Sequence, residues 1–71
     1  MSNEEKTELG IIDAPYNKQI KLEDMDLGGG MHLMRITIKE GSRFTQIDLD
    51  QATAKTWAES MIEWANKHPT E

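Results

Sequence analysis

The residues of this chain that could do chemistry are few, and they lie far apart in the sequence. Its two histidines, His32 and His68, have no second histidine at ligand spacing, and cysteine is absent, so the pattern of a transition-metal site is missing. Neither Ser42 nor Ser60 lies in a Gly-x-Ser-x-Gly motif, the turn that presents a nucleophilic serine. We therefore predict no catalytic residue, no metal site, no cofactor and no small-molecule substrate.

An acidic motif and a glycine run are the remaining candidates for binding an ion. The motif "DMD" at 24–26 fails the calcium-loop pattern, because Gly28 stands where a ligand is required and Arg35 stands where a glutamate should close the site. The glycines at 28–30 lead into "MHLMRITI" and carry no Gly-Lys-Ser/Thr, so they do not form a phosphate loop. We expect the glycine run to be a flexible connector.

Length and charge limit the class of protein. The chain has 71 residues, which is enough for one domain. Its formal net charge is −5, so nucleic-acid phosphates and anionic lipids would repel it. No apolar run approaches the roughly 20 residues of a membrane span, and the acidic N-terminus lacks the apolar segment of a secretory signal. We expect a cytoplasmic protein with a disordered tail at 1–8, one domain at 9–68 and a C-terminal tail at 69–71.

The segment from 31 to 49 predicts a β-hairpin. Gly41-Ser42 fits a two-residue turn of type II′, with glycine at the first central position. Counting back from this turn places Ile36 opposite Ile47 and Arg35 opposite Asp48, so apolar and oppositely charged residues pair across the strands. Because side chains alternate along a strand, one face collects Met34, Ile36, Ile38, Ile47 and Leu49.

A helix follows the hairpin directly. Asp50 is placed to cap its N-terminus. Lys67 and His68 suit the negative end of the helix dipole, and Pro69 ends the run. At 100° per residue the apolar residues form one stripe: Ala54, Trp57, Ala58, Met61, Trp64 and Ala65. We predict that this stripe is buried against the apolar face of the hairpin.

The N-terminal half supplies the rest of the sheet. Pro15 and Asn17 mark a turn, and Ile20 and Leu22 have the two-residue spacing of a strand. The expected fold class is α+β: an antiparallel β-meander of three to four strands followed by one C-terminal α-helix packed on one sheet face.

Phe44 lies outside the predicted core, because the register turns its side chain away from the helix. We predict that it lies at the centre of an interaction surface: Leu33, Arg35, Thr37, Lys39, Arg43, Phe44 and Gln46. An aromatic side chain with a polar rim is typical of a protein interface. With basic neighbours it is also typical of a site that stacks single-stranded nucleic acid. A third interpretation is that an N-terminal strand or tail folds over it.

Two resemblances rest on these segments. "IIDAPYNKQI" and "MHLMRITIKEGSRFTQIDLDQATAKTWAESMIEWA", within 11–65, resemble a family of small uncharacterised bacterial proteins, which implies a bacterial cytoplasmic protein. The meander ending in "IDLDQATAKTWAESM" is similar to the single-stranded DNA-binding domain of the transcriptional coactivator family. That resemblance implies a dimer that binds DNA on a basic sheet, but this chain lacks the dense lysine and arginine content of those domains.

The function that these patterns favour is a small non-enzymatic protein-interaction module. A body of about 60 residues is near the lower limit for a core that is stable alone, so we expect a homodimer that uses the open sheet face, or binding to another protein there. The alternative is a single-stranded nucleic-acid-binding protein that uses Phe44, Arg35, Lys39 and Arg43. The acidic charge makes nucleic acid the less expected partner.

Overall fold

Four consecutive antiparallel strands and one helix make up the chain in a computed structural model that describes residues 5–68. The elements are β1 (Glu5–Ala14), β2 (Lys18–Gly28), β3 (Met31–Glu40), β4 (Arg43–Leu49) and α1 (Gln51–Lys67). The strands form one sheet in the order β1-β2-β3-β4, and α1 contacts the sheet at β3. The predicted α+β meander with one C-terminal helix is confirmed, with four strands.

Tight turns join the strands. Tyr16 and Asn17 both have positive φ, at 64° and 62°, a conformation that a tyrosine rarely adopts. Gly29 and Gly30 have φ of 63° and 82°, the pattern of a type I′ hairpin turn that glycine suits best. The glycine run therefore connects β2 and β3 as a tight hairpin turn.

The predicted register of the last hairpin is confirmed. Ile36 lies opposite Ile47 and Arg35 lies opposite Asp48, with Gly41 at φ 60° in the turn. The pairing of β1 with β2 and of β2 with β3 extends the apolar face across all four strands. We name it the apolar sheet face, and its residues are Ile12, Ile20, Leu22, Met34, Ile36, Ile38, Ile47 and Leu49.

The first strand begins earlier than the sequence predicts. Glu5 pairs with Asp26 and Lys6 pairs with Met25, so the expectation of a disordered tail up to Glu8 is wrong for residues 5–8. Their polar side chains gave no strand pattern, and it is the backbone pairing with β2 that orders them. Residues 1–4 and 69–71, which complete the two expected tails, lie outside the described range, as does the predicted stop at Pro69.

Both ends of α1 have side-chain caps. The backbone N–H of Thr53 donates to Asp50 Oδ1 at 2.8 Å, which confirms the predicted N-cap. Hydrogen bonds from Thr53, by its side chain first and its backbone second, lower the pKa of Asp50 from its ordinary value. At the other end, the His68 ring stacks on Trp64 with 5.0 Å between ring centroids, and its Nδ1 lies 3.0 Å from the Trp64 carbonyl oxygen.

The packing of α1 differs from the prediction. Trp57, Met61 and Trp64 are 37%, 56% and 65% exposed, so the prediction that they are buried against the sheet is wrong for the single chain. Only one residue, Asp50, separates β4 from α1, and this connection leaves only the start of the helix beside β3. Of the helix residues, Ala54 alone is even half-buried.

The core of the single chain is consequently small. Among the described residues, the buried apolar side chains are Met25, at 4% exposure, and Ile36, at 8%. Both lie on the two central strands, where neighbouring strands cover them from both sides. The radius of gyration is 14.3 Å, compared with about 11 Å for a compact domain of this length.

Candidate interaction surfaces

The sheet face turned away from α1 carries most of the interaction residues predicted from the sequence, and we name it the outer face. Strand alternation places six of the seven together on it, on β3 and β4: Leu33, Arg35, Thr37, Lys39, Phe44 and Gln46. The seventh, Arg43, pairs with Glu40 and therefore points to the opposite face. The outer-face set thus lacks one of its predicted basic groups.

Phe44 is the exposed aromatic side chain of the outer face, at 63% exposure. Lys39 Nζ lies 5.9 Å from the centroid of its ring, within the range of a cation–π contact. β1 lies at the other edge of the sheet from β4, so the N-terminal strand does not cover Phe44. The interpretation that the strand covers Phe44 is therefore wrong, and residues 1–4 of the tail lie outside the described range.

Arg35 and Asp48 form an opposite-sign contact on the outer face. Arg35 Nε and Nη2 donate to the two carboxylate oxygens of Asp48 at 2.9 and 3.1 Å. The Arg35 hydrogen bond, and secondly its charge, hold the pKa of Asp48 below its ordinary value. Gln46 Nε2 donates to Thr37 Oγ1 at 3.3 Å. These side chains are already engaged with one another across β3 and β4.

Glu23 is a residue of the outer face that the sequence did not single out. It is 9% exposed, and its Oε2 lies 3.6 Å from Lys21 Nζ. In the register it lies between Glu8 of β1 and Arg35 of β3. In "LEDMDL" it resembles any surface carboxylate, because only pairing on both sides of β2 covers it.

The second candidate surface is the apolar stripe of α1. Its large side chains are more than one-third exposed, as given above, and a hollow on it is lined by Trp57, Ser60, Met61, Trp64 and Ala65. All five lining residues belong to the helix, so no sheet residue closes this hollow. The sequence predicted that this stripe is buried, and the single chain does not bury it.

The start of the stripe lies beside the apolar sheet face. Ala54, at the start of the stripe, lines a recess together with Met34 and Leu49 of the apolar sheet face. At the rim of this recess, His32 Nδ1 lies 3.0 and 3.2 Å from the carboxylate oxygens of Asp24. The two residues are eight apart in sequence, and only the Gly29-Gly30 turn brings them together.

Within residues 5–68, no three histidine, aspartate or glutamate side chains come together as a group that could hold a metal ion. The helix α1 in that range is not long and apolar enough to cross a membrane.

Fold and surfaces together define a small four-stranded meander protein with one C-terminal helix whose apolar side is open. The chain belongs to a family of unknown function, DUF6967, whose family model matches residues 3–67. The predicted resemblance to a family without an assigned function is thereby confirmed. Neither a curated protein nor a solved structure matches the chain.

Proposed function

We propose that this protein is a small non-enzymatic protein-interaction module that forms a homodimer through its helix side. One observation carries the proposal: the stripe of α1 presents two tryptophans and a methionine that are 37–65% exposed. Burial of a large apolar side chain contributes about 1.5–3 kcal/mol, and exposed apolar patches commonly mark contact sites. A second copy of the chain carries the same apolar stripe and is present at the same concentration.

The amount of exposed surface supports a dimer. The accessible surface is 5894 Å² for a chain of 8.1 kDa, whereas a folded monomer of that mass exposes about 4,500 Å². Up to about 1,200 Å² is the most that the residues outside the described range could expose. The remainder, compared with the roughly 4,200 Å² expected for the mass of residues 5–68, still leaves an excess of about 500 Å². A standard interface takes about 800 Å² from each partner.

The charges favour a protein partner over nucleic acid. On the outer face Arg35 is bonded to Asp48, Lys21 lies beside Glu23, and Lys39 lies over the Phe44 ring on which a base would have to stack. Phosphate binding depends on basic groups that release counterions. The stripe itself contains no charged residue, which suits an apolar contact between two protein surfaces.

Sedimentation velocity over a concentration series tests the proposal, with two matched variants. Trp64 and Phe44 are similarly exposed, at 65% and 63%, but Trp64 belongs to the stripe of α1 and Phe44 to the outer face. We expect Trp64→Glu to weaken the dimer at least about 100-fold, because a charge in an apolar contact is costly, and we expect Phe44→Glu to leave it unchanged. The reverse result would move the contact to the outer face, as predicted from the sequence.

A salt series with a labelled single-stranded oligonucleotide tests the alternative. Affinity that falls steeply with salt would indicate phosphate contacts and would favour the nucleic-acid function. We expect no binding that depends on Lys39 or Phe44.

A further inference from the structure

We propose that the dimer is formed by exchange: the stripe of α1 from each copy lies on the apolar sheet face of the other copy. This inference rests on the proposed function and specifies how the second copy is bound. Within residues 5–68 the stripe beyond Ala54 has no cover, and the apolar sheet face has only the start of α1 near it. The stripe of one copy can therefore cover the apolar sheet face of the other copy.

The connection between β4 and α1 explains why a chain does not cover its own sheet. Asp50 is the one connecting residue, and its extended backbone, with φ −80° and ψ 174°, is fixed by its cap to Thr53. The stripe residues beyond Ala54 are therefore held away from the sheet of their own chain, as their exposure shows. A second copy has no such connection, so its helix can be placed along the whole face.

The dimensions of the two surfaces match. α1 has 17 residues and is about 25 Å long. β2 and β3 have 11 and 10 residues, about 33–36 Å, and four strands span about 14 Å between the outer strand axes. One helix fits within that area. Its two tryptophans, seven residues or about two helical turns apart, would lie over the middle of the sheet.

Charge placement also fits an apolar helix in the middle of the face. Alternation puts Lys18, Glu40 and Arg43 at one end of the apolar sheet face and Asp24, Asp26 and His32 at the other. Lys18 Nζ lies 3.4 Å from Glu40, and His32 Nδ1 lies 3.0 Å from Asp24. The charged groups are at the rim, where an interface is usually polar, and the centre is aliphatic.

Exchange covers more apolar surface than the other twofold arrangement. If the stripes of two copies packed on each other, the apolar sheet face would remain open in both copies, with Ile12 at 50% and Ile47 at 38% exposure. Exchange covers the stripe and the face together, twice per dimer. It is also self-complementary, as a twofold interface must be.

Mixing two complementary variants tests the exchange. Trp64→Glu damages the stripe and Ile47→Glu damages the apolar sheet face. In a dimer of either variant with itself, both contacts contain the substitution. In an equimolar mixture, the intact stripe of the Ile47→Glu chain meets the intact face of the Trp64→Glu chain. We expect each variant alone to dimerise at least about 100-fold more weakly than wild type. We expect the mixture to dimerise at least about 10-fold more tightly than either variant alone, because one of the two contacts in the mixed dimer is intact.

The outcomes separate the two proposals. A wild-type chain that stays monomeric at all concentrations overturns both. A wild-type dimer whose folded variants do not recover on mixing overturns the exchange and leaves the homodimer in place. Circular dichroism checks folding, and Ile12→Glu, on the opposite edge strand β1 and more exposed than Ile47, replaces Ile47→Glu if the latter unfolds.

Cross-linking gives a second readout that does not depend on a tolerated charge. Because the chain has no cysteine, Met61→Cys and Ile47→Cys chains can be mixed and oxidised selectively. Exchange predicts that the adduct between the two different variants dominates. A dominant Met61→Cys adduct with itself would instead indicate stripe-on-stripe packing and would overturn the exchange.

Discussion

Arg35 and Asp48 are joined by two parallel hydrogen bonds, of 2.9 and 3.1 Å, across β3 and β4. The pair is the charged counterpart of the Ile36–Ile47 pair one residue away. One pair therefore fixes the hairpin on the outer face and the other fixes it on the apolar face. A register slip of one residue would separate both pairs.

Asp48→Asn should make the protein less sensitive to acid. The Arg35 hydrogen bond lowers the pKa of Asp48 in the folded state below its ordinary value of 3.8. The resulting stabilisation is present above that ordinary value and is lost as the pH falls through the lowered pKa. Thermal melts from pH 6 to pH 2.5 should therefore show a smaller loss in the variant. Glu59→Gln, an equal charge change on the helix surface, is the control, and an identical loss in wild type and Asp48→Asn would contradict the prediction.

Met25→Ala should destabilise the single chain much more than Met61→Ala. Met25 is 4% exposed and Met61 is 56% exposed. Removal of a buried methionine side chain costs about 2–5 kcal/mol, which is a large part of the stability of a small domain. Urea denaturation at low protein concentration measures both variants. Equal losses would mean that Met25 is not part of the core.

Gly30→Ala should cost about 1 kcal/mol through its backbone alone. Gly30 has φ +82°, and a Cβ there would meet nothing within 4 Å, so the penalty comes from the left-handed conformation and not from a clash. Gly10 has equally open surroundings without a positive φ, which makes Gly10→Ala the matched control. Chemical denaturation of the two variants gives the difference, and a tolerated Gly30→Ala would argue against the type I′ turn.

Tryptophan fluorescence should depend on protein concentration. Trp57 and Trp64 are 37% and 65% exposed in the single chain, and dimerisation through the stripe would remove both from water. The emission maximum should move to shorter wavelength as the concentration rises. Trp57→Phe and Trp64→Phe assign the change to each residue. Emission that stays constant while sedimentation shows a dimer would mean that the stripe lies outside the interface.

The sequence by itself determined the parts of the fold that depend on near neighbours. The register of the last hairpin follows from the Gly41-Ser42 turn and from which residues lie opposite each other, and the start of α1 follows from the carboxylate of Asp50 and the N–H of Thr53. The stripe of α1 follows from helical periodicity. These features involve residues close in sequence, so composition and spacing are enough to predict them.

Only the tertiary structure decided what covers each face. The strand at Glu5–Glu8 is ordered by pairing with β2, and Glu23 is buried by strands on both of its sides; neither fact leaves a mark in the local pattern. Periodicity indicates that Trp57 and Trp64 belong to a face that favours burial, but it does not specify the surface that buries them. The one-residue connection at Asp50 keeps that face off the chain's own sheet, because the direction of a helix is set by the backbone that joins it to the sheet.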